Sequence, residues 1–430
     1  MRFTFFKNTL IIILLAGIAS CFSCGSGNKD KNAAKTDSII SSTQDEVVIH
    51  DTVKLAKFDK SNTESIVVGA NRLSEYAPIL KGKKIGIVAN QTSRISTDGR
   101  EQHLVDYLLK SKFEVTKVFA PEHGFRGTAD AGEKVNDKID AQTGLPIISI
   151  YGKFMKPTPA QLADIDIMIF DIQDVGARFY TYISSLHYVM EACAEANIPL
   201  LILDRPNPNG HYIDGPILEL EYKSFVGMHP VPVVHGMTVG EYARMINGEG
   251  WLEKGVQCEL KIITVENYNH QSPYSLPVKP SPNLPNDVAI NLYPSLCFFE
   301  GTIVSAGRGT NDQFQVFGAP SLPLEFFPYQ FTPEPNEGAK HPKFKGEQCN
   351  GLDLRNHPRL DRMNLEWLIE AYVGFGRKSE FFNPFFTKLA GTERLQWQIE
   401  NRYTYYEIRK EWIRPLAAYD SMRQKYLLYD

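Results

Sequence analysis

The stretch "IMIFDIQDVGAR", Ile167 to Arg178, decides the fold. Ile167, Met168, Ile169 and Phe170 form an unbroken apolar run, the pattern of a strand covered on both faces in a parallel sheet. The chain then turns at once to Asp171, Gln173, Asp174 and Arg178. In open parallel sheets, ligands bind beyond the carboxyl ends of the strands. One segment therefore predicts both a central strand and an edge that carries chemistry.

Working outward, similar short apolar runs recur at Ile85 to Ala89, Val115 to Ala120, Ile147 to Tyr151 and Leu200 to Leu203. Helix signals lie between them. His103 to Leu109 and Tyr182 to Asn197 have amphipathic spacing. Thr158-Pro159 is an N-cap followed by proline, and Thr238 with Glu241 is a capping box. Strands alternating with helices predict an α/β fold, a Rossmann-like parallel-sheet domain. After the proline-rich Ser272 to Pro285 the alternation stops, and helices are expected at Asn364 to Phe375 and Thr392 to Asn401. This predicts a catalytic domain over 66–285, followed by a smaller α+β C-terminal auxiliary domain over 286–430.

The N-terminus reads differently. Arg2 and Lys7 precede an apolar Thr9 to Ala19, too short for the ~20 residues that span a bilayer. A signal peptide over 1–20 is expected. It ends in Ile18-Ala19-Ser20-Cys21, a lipobox-like sequence that predicts acylation of Cys21, with Cys24 a poorer match. Residues 21–65 are polar and poor in aromatics, the composition of a flexible tether. The expectation is an exported bacterial lipoprotein on the periplasmic side of a membrane. Cys193, Cys258, Cys297 and Cys349 show no CxxC spacing and read as buried free thiols.

With 46 basic and 50 acidic side chains, the chain has no electrostatic footprint for nucleic acid. No G-x-G-x-x-G follows the first strand and no P-loop is present, so no nucleotide cofactor is expected. His123, Asp171, Asp204 and His235 lack metal-ligand spacing, so no metal is expected either. Each strand exit instead carries polar residues: Asn90-Gln91, Glu122-His123, Tyr151, Asp171 to Arg178, and Asp204-Arg205. Such a crevice suits acid–base chemistry on a polar substrate, and glycoside hydrolysis fits. An anionic substrate would want Arg178, Arg205 or Arg308.

The series NQTS (Asn90), APEHGFRG (Ala120), QDVGARFYTY (Gln173), LDRPNPNG (Leu203), SFVGMHPVPVVHGMTVGE (Ser224), SPNLP (Ser281) and GTIVSAGRGT (Gly301) resembles the exo-β-N-acetylmuramidase family called NamZ. The resemblance implies release of N-acetylmuramic acid from the non-reducing ends of peptidoglycan fragments, in a cleft between two domains. Glu122 corresponds to the family's acidic residue after the second strand and is the expected general acid. Asp171 and Asp174 are the other catalytic candidates. Asn90, His123, Arg178, Tyr182, Asp204, Arg205 and His235 are expected to contact substrate, and Asn283 and Arg308 would reach the cleft if the domains pack as the resemblance implies. Ala306 and Gln315 stand where the family pattern has glutamates. That departure supports an alternative, a lipid-anchored protein that binds a cell-wall sugar without cleaving it.

Overall fold

Alternation of buried side chains organises the molecule around one sheet. The computed structural model describes residues 65–97, 99–127 and 138–430. The expected signal peptide, Cys21, Cys24 and nearly all of the tether lie outside the described residues.

The strands are β1 (Lys84–Ala89), β2 (Arg94–Thr97), β3 (Arg100–His103), β4 (Glu114–Ala120), β5 (Lys138–Ile139), β6 (Pro146–Ser149), β7 (Ile167–Asp171), β8 (Leu200–Leu203) and β9 (Leu260–Ile263). The main sheet has the order β5-β6-β4-β1-β7-β8-β9. Every pairing in it is parallel except β5 with β6. β2 and β3 form a separate hairpin. The quoted stretch supplies β7, buried at every position between β1 and β8.

Successive side chains on a strand point to opposite faces, and the core divides accordingly. Ile85, Ile87, Val118, Ile167, Ile169, Leu201 and Leu203 face one side, where α1 (Leu73–Leu80) and α2 (Leu104–Lys110) cover them with Tyr76, Leu80, Leu104 and Leu108. Val88, Phe119, Met168, Phe170, Leu200 and Ile202 face the other. There they meet α3 (Pro159–Leu162), α4 (Tyr182–Ala196) and α5 (Val239–Gly248). The same apolar cluster continues without a break into the C-terminal half, through Phe298, Phe317, Leu368 and Ile408.

That half is α+β, as expected. It contains α6 (Asp287–Leu296), the antiparallel strands β10 (Val316–Ala319), β11 (Tyr329–Phe331) and β12 (Cys349–Asp353), then α7 (Glu366–Gly374), α8 (Phe385–Ala390), α9 (Arg394–Glu400) and α10 (Tyr405–Arg423). β5 and β9 have no counterpart in the sequence reading. β5 is two exposed residues, and Leu260-Lys261-Ile262-Ile263 lacks the length of a clear apolar run. Cys193, Cys258, Cys297 and Cys349 are free and buried, as the spacing suggested.

Arg178 joins the two halves. Its guanidinium is fully buried and donates to the carbonyls of Pro216, Val231, Leu389 and Ala390 at 2.7–2.9 Å. This corrects its expected role as a substrate contact, because the side chain is sealed from solvent and both terminal nitrogens are spent on backbone carbonyls, with only the buried Nε left unpaired among the described residues. Burial pushes its pKa down to about 9, so it stays charged at neutral pH. Arg178→Met would strand those carbonyls in a dry interior. The expected loss is about 3–5 kcal/mol of stability, read from denaturant unfolding, since buried polar groups left unpaired are costly. Wild-type stability in the variant would contradict this assignment.

Candidate active site

The site is built on the exit of β4. Pro121 to Gly127 leaves the sheet as a tight loop, closed by Gly124 N–H to Pro121 O (3.0 Å) and Gly127 N–H to Gly124 O (3.3 Å). His123 is held at φ +70°, a left-handed conformation uncommon outside glycine and a local backbone cost. Phe125 plugs the loop into the core edge-on to His103 (4.8 Å), and Arg126 pins it to Asp106 and Asp140. Gly127 has φ +75°, and a Cβ there would lie 2.7 Å from the Gln91 side chain, so only glycine fits.

The loop presents Glu122, half-buried, between two hydroxyl donors. Tyr151, just past β6, donates to Oε1 at 2.8 Å, and Thr181 donates to Oε2 at 2.6 Å. Thr181 is the N-cap of α4 but makes no side-chain cap bond to that helix. Its hydroxyl serves Glu122 instead, at the helix end whose dipole favours an anion. Neither Tyr151 nor Thr181 was singled out as a contact from sequence, because partners 29 and 59 residues away leave no local signal.

Behind Glu122, Tyr180 and Tyr182 pack edge-on at 4.8 Å, and both phenols donate to Pro280 O. Burial pushes both phenols up, so they remain proton donors. Gln91 Nε2 bonds the same Pro280 carbonyl and that of Lys279. The linker thus runs across the strand ends and delivers Asn283. Asp174 accepts from Gly176 N–H through Oδ2, which lies 3.6 Å from His235 Nε2. Among the described residues, Asp174 Oδ1, His235 Nε2 and both amide atoms of Asn283 are buried without a hydrogen-bond partner. Buried polar atoms are normally paired, so this group stands out.

Arg308 enters from the C-terminal half. It donates to Gly338 O at 3.0 Å and lies 3.5 Å from Glu300. A Cβ at Gly338 would sit 2.5 Å from Asn283 Oδ1, so the backbone that holds Arg308 abuts Asn283. Glu300, Ser305, Ala306, Arg308 and His341 line a 340 Å³ cavity.

Four other sequence expectations point inward. Asp171 is fully buried and bound by Arg205 through two bonds of 2.7 and 3.0 Å. Both belong to an internal ion pair, not to catalysis or substrate contact. Asp204 is fully buried under Thr238, Gly240 N–H and Tyr429, at 2.7–2.9 Å. Asn90 binds Thr92 through its oxygen and Tyr182 through its amide, so it supports the tyrosine pair from beneath. Each satisfies polar groups inside the fold.

Sequence comparison bears directly on this arrangement. Residues 85–288 match the family model described as exo-β-N-acetylmuramidase NamZ, N-terminal, and residues 291–429 match its C-terminal counterpart. The chain belongs to the NamZ family. It is 38% identical over 383 residues to the peptidoglycan β-N-acetylmuramidase NamZ of Bacillus subtilis strain 168, covering 83% of this chain and 89% of that protein. Two crystal structures of DUF1343 family proteins from Bacteroides fragilis are also similar. One is 46% identical with a TM-score of 0.79, and the other 27% identical with a TM-score of 0.71. Each comparison covers 85% of this chain and 99% of the other. Glu122 and Asp174 lie within the first matched range, and Arg308 within the second.

Proposed function

We propose that this protein is an exo-acting β-N-acetylmuramidase that releases N-acetylmuramic acid from the non-reducing ends of peptidoglycan fragments. The observation that carries the reading is Glu122, set between Tyr151 and Thr181 at a strand exit, in a chain 38% identical to a peptidoglycan β-N-acetylmuramidase.

In this reading, protonated Glu122 gives its proton to the glycosidic oxygen as the bond from that oxygen to the sugar's anomeric carbon breaks. The two hydroxyls hold the carboxyl in one orientation and stabilise the carboxylate left behind, which favours transfer. Asp174, with an unpaired oxygen beside His235, is the second anionic group that the electron-poor sugar needs. Water adds to the anomeric carbon, and the proton it loses ends on Glu122, either directly or through Asp174 and solvent, so the enzyme ends as it began. Arg308 is the arginine that answers the lactyl carboxylate of muramic acid, since Arg178 and Arg205 are committed to the interior. His123 and Asn283 complete the substrate contacts.

The non-catalytic alternative rests on Ala306. That residue is buried in the cavity wall, on the C-terminal side of the site. No hydrogen bond of Glu122 or Asp174 runs through it, so its lack of a carboxylate leaves the proposed acid in place. The anchor proposal is separate and rests on Ile18 to Cys21. An acylated Cys21 would hold the enzyme at the periplasmic side of a membrane, where its polymer substrate lies.

Glu122→Gln keeps the shape of the side chain and removes the transferable proton. Turnover on a muramic-acid-terminated disaccharide should fall by ~10²–10⁴-fold with the melting temperature kept; wild-type turnover would remove Glu122 from the role. Arg308→Met should weaken muramic-acid sugars by roughly ten- to a hundred-fold, the value of a charge-assisted hydrogen bond, and spare N-acetylglucosamine analogues. Equal losses on both would make Arg308 part of the scaffold. Cys21→Ala should shift the protein out of the detergent phase, and mass analysis of the wild-type N-terminus showing no lipid would end the anchor proposal.

A further inference from the structure

Two aromatic rings, Tyr188 and Phe225, have no place in the chemistry above and adjoin a third, Tyr151, that does. Tyr188 lies on α4, seven residues beyond Thr181 and therefore on the same helical face, two turns along. Phe225 sits at the tip of a tight turn in which Ser224 and Gly227 exchange backbone hydrogen bonds of 2.9 and 3.0 Å. Its ring stacks on Tyr188 with centroids 6.3 Å apart and planes inclined by 18°, and meets Tyr151 at 5.8 Å. Tyr151 is the residue whose hydroxyl holds Glu122 at 2.8 Å. All three rings are half-buried, while the core aromatics around them are sealed from solvent.

The turn is firmly based. A Cβ at Gly227 would approach Leu218 Cδ1 to 2.8 Å and the Arg178 guanidinium to 3.7 Å. The backbone at Gly227 thus packs closely on Leu218, beside the buried arginine, and gives the turn that carries Phe225 a packed base. A large apolar ring at a turn tip, continuous with a catalytic carboxyl, is poorly explained by packing alone.

We infer that Phe225, stacked on Tyr188 and bordered by Tyr151, is a sugar-binding shelf that seats a hexosamine ring of the glycan next to Glu122. The axial C–H bonds of a pyranose ring form an apolar face that packs flat on an aromatic ring, while its hydroxyls stay solvated. Stacking also orients the ring, which a bare carboxyl cannot do. The inference rests on the glycan-hydrolase reading and specifies how that site grips its substrate.

Steady-state kinetics on a muramic-acid-terminated disaccharide would test it, with Phe225→Ala and Phe225→Trp beside the wild type. Removing the ring should raise KM roughly ten-fold, leave kcat within about two-fold and scarcely move the melting temperature. Phe225→Trp should restore KM. An unchanged KM in Phe225→Ala, or a loss confined to thermal stability, would overturn the shelf. If the wild type does not cleave the disaccharide, saturation-transfer NMR with the same sugar separates the two ideas. Binding by wild type that Phe225→Ala abolishes would sustain the shelf and sink the hydrolase reading, and no binding by either protein would sink both.

Discussion

Arg178 is the constraint from which the rest of the site follows. A guanidinium without solvent is tolerable only when its N–H groups find acceptors, and here four carbonyls from three separate segments supply them. Its own N–H bonds Val233 O at 2.7 Å, which fixes the chain three residues before Thr181. That position sets where α4 begins, and so where Glu122 finds its second hydroxyl donor. Through Leu389 and Ala390 the same side chain also fixes the C-terminal half against the sheet. The turn that carries Phe225 rests on it as well.

The fold divides its polar residues by access. Those that close the sheet's edge on itself, Asp171 with Arg205 and Asp204 with Thr238, are matched charge for charge or bond for bond. Those left over, Asp174, His235 and Asn283, hold buried atoms with no partner among the described residues. A ligand that supplied the missing bonds would recover the cost of burying them. A half-buried carboxyl on a loop with a left-handed residue, and buried polar atoms without partners among the described residues, are the two marks of a site shaped for something other than itself.

The architecture was legible because strands sealed on both faces must be apolar: β7 and β8 are buried at every position, and β1, β4 and β6 each carry a shorter buried apolar stretch. β9 and β5 were not, because a short edge strand needs only backbone pairing and carries little pattern. Glu122 was legible from its place at a strand exit. What local sequence could not distinguish was direction. Asp171 and Asp174 stand three residues apart on one exit, yet the first turns to Arg205 inside and the second toward His235. Arg178 looked like an anion binder for the same reason, since the type of side chain announces a charge and not what will neutralise it. Tyr151 and Thr181 became visible only once distant strands were brought side by side.

The end of the chain closes its centre. Tyr429 reaches back to the buried Asp204 carboxyl at 2.7 Å, and the Asp430 carbonyl accepts from His270 N–H at 2.9 Å. Burial pushes Asp204 up to about 6, so near neutrality it sits as an anion deep in the fold and needs each donor it has. One of those donors is made 225 residues after it. The buried acid in the middle of the sheet therefore stays short of a donor until a segment 225 residues downstream has docked on it, which couples the folding of the two halves.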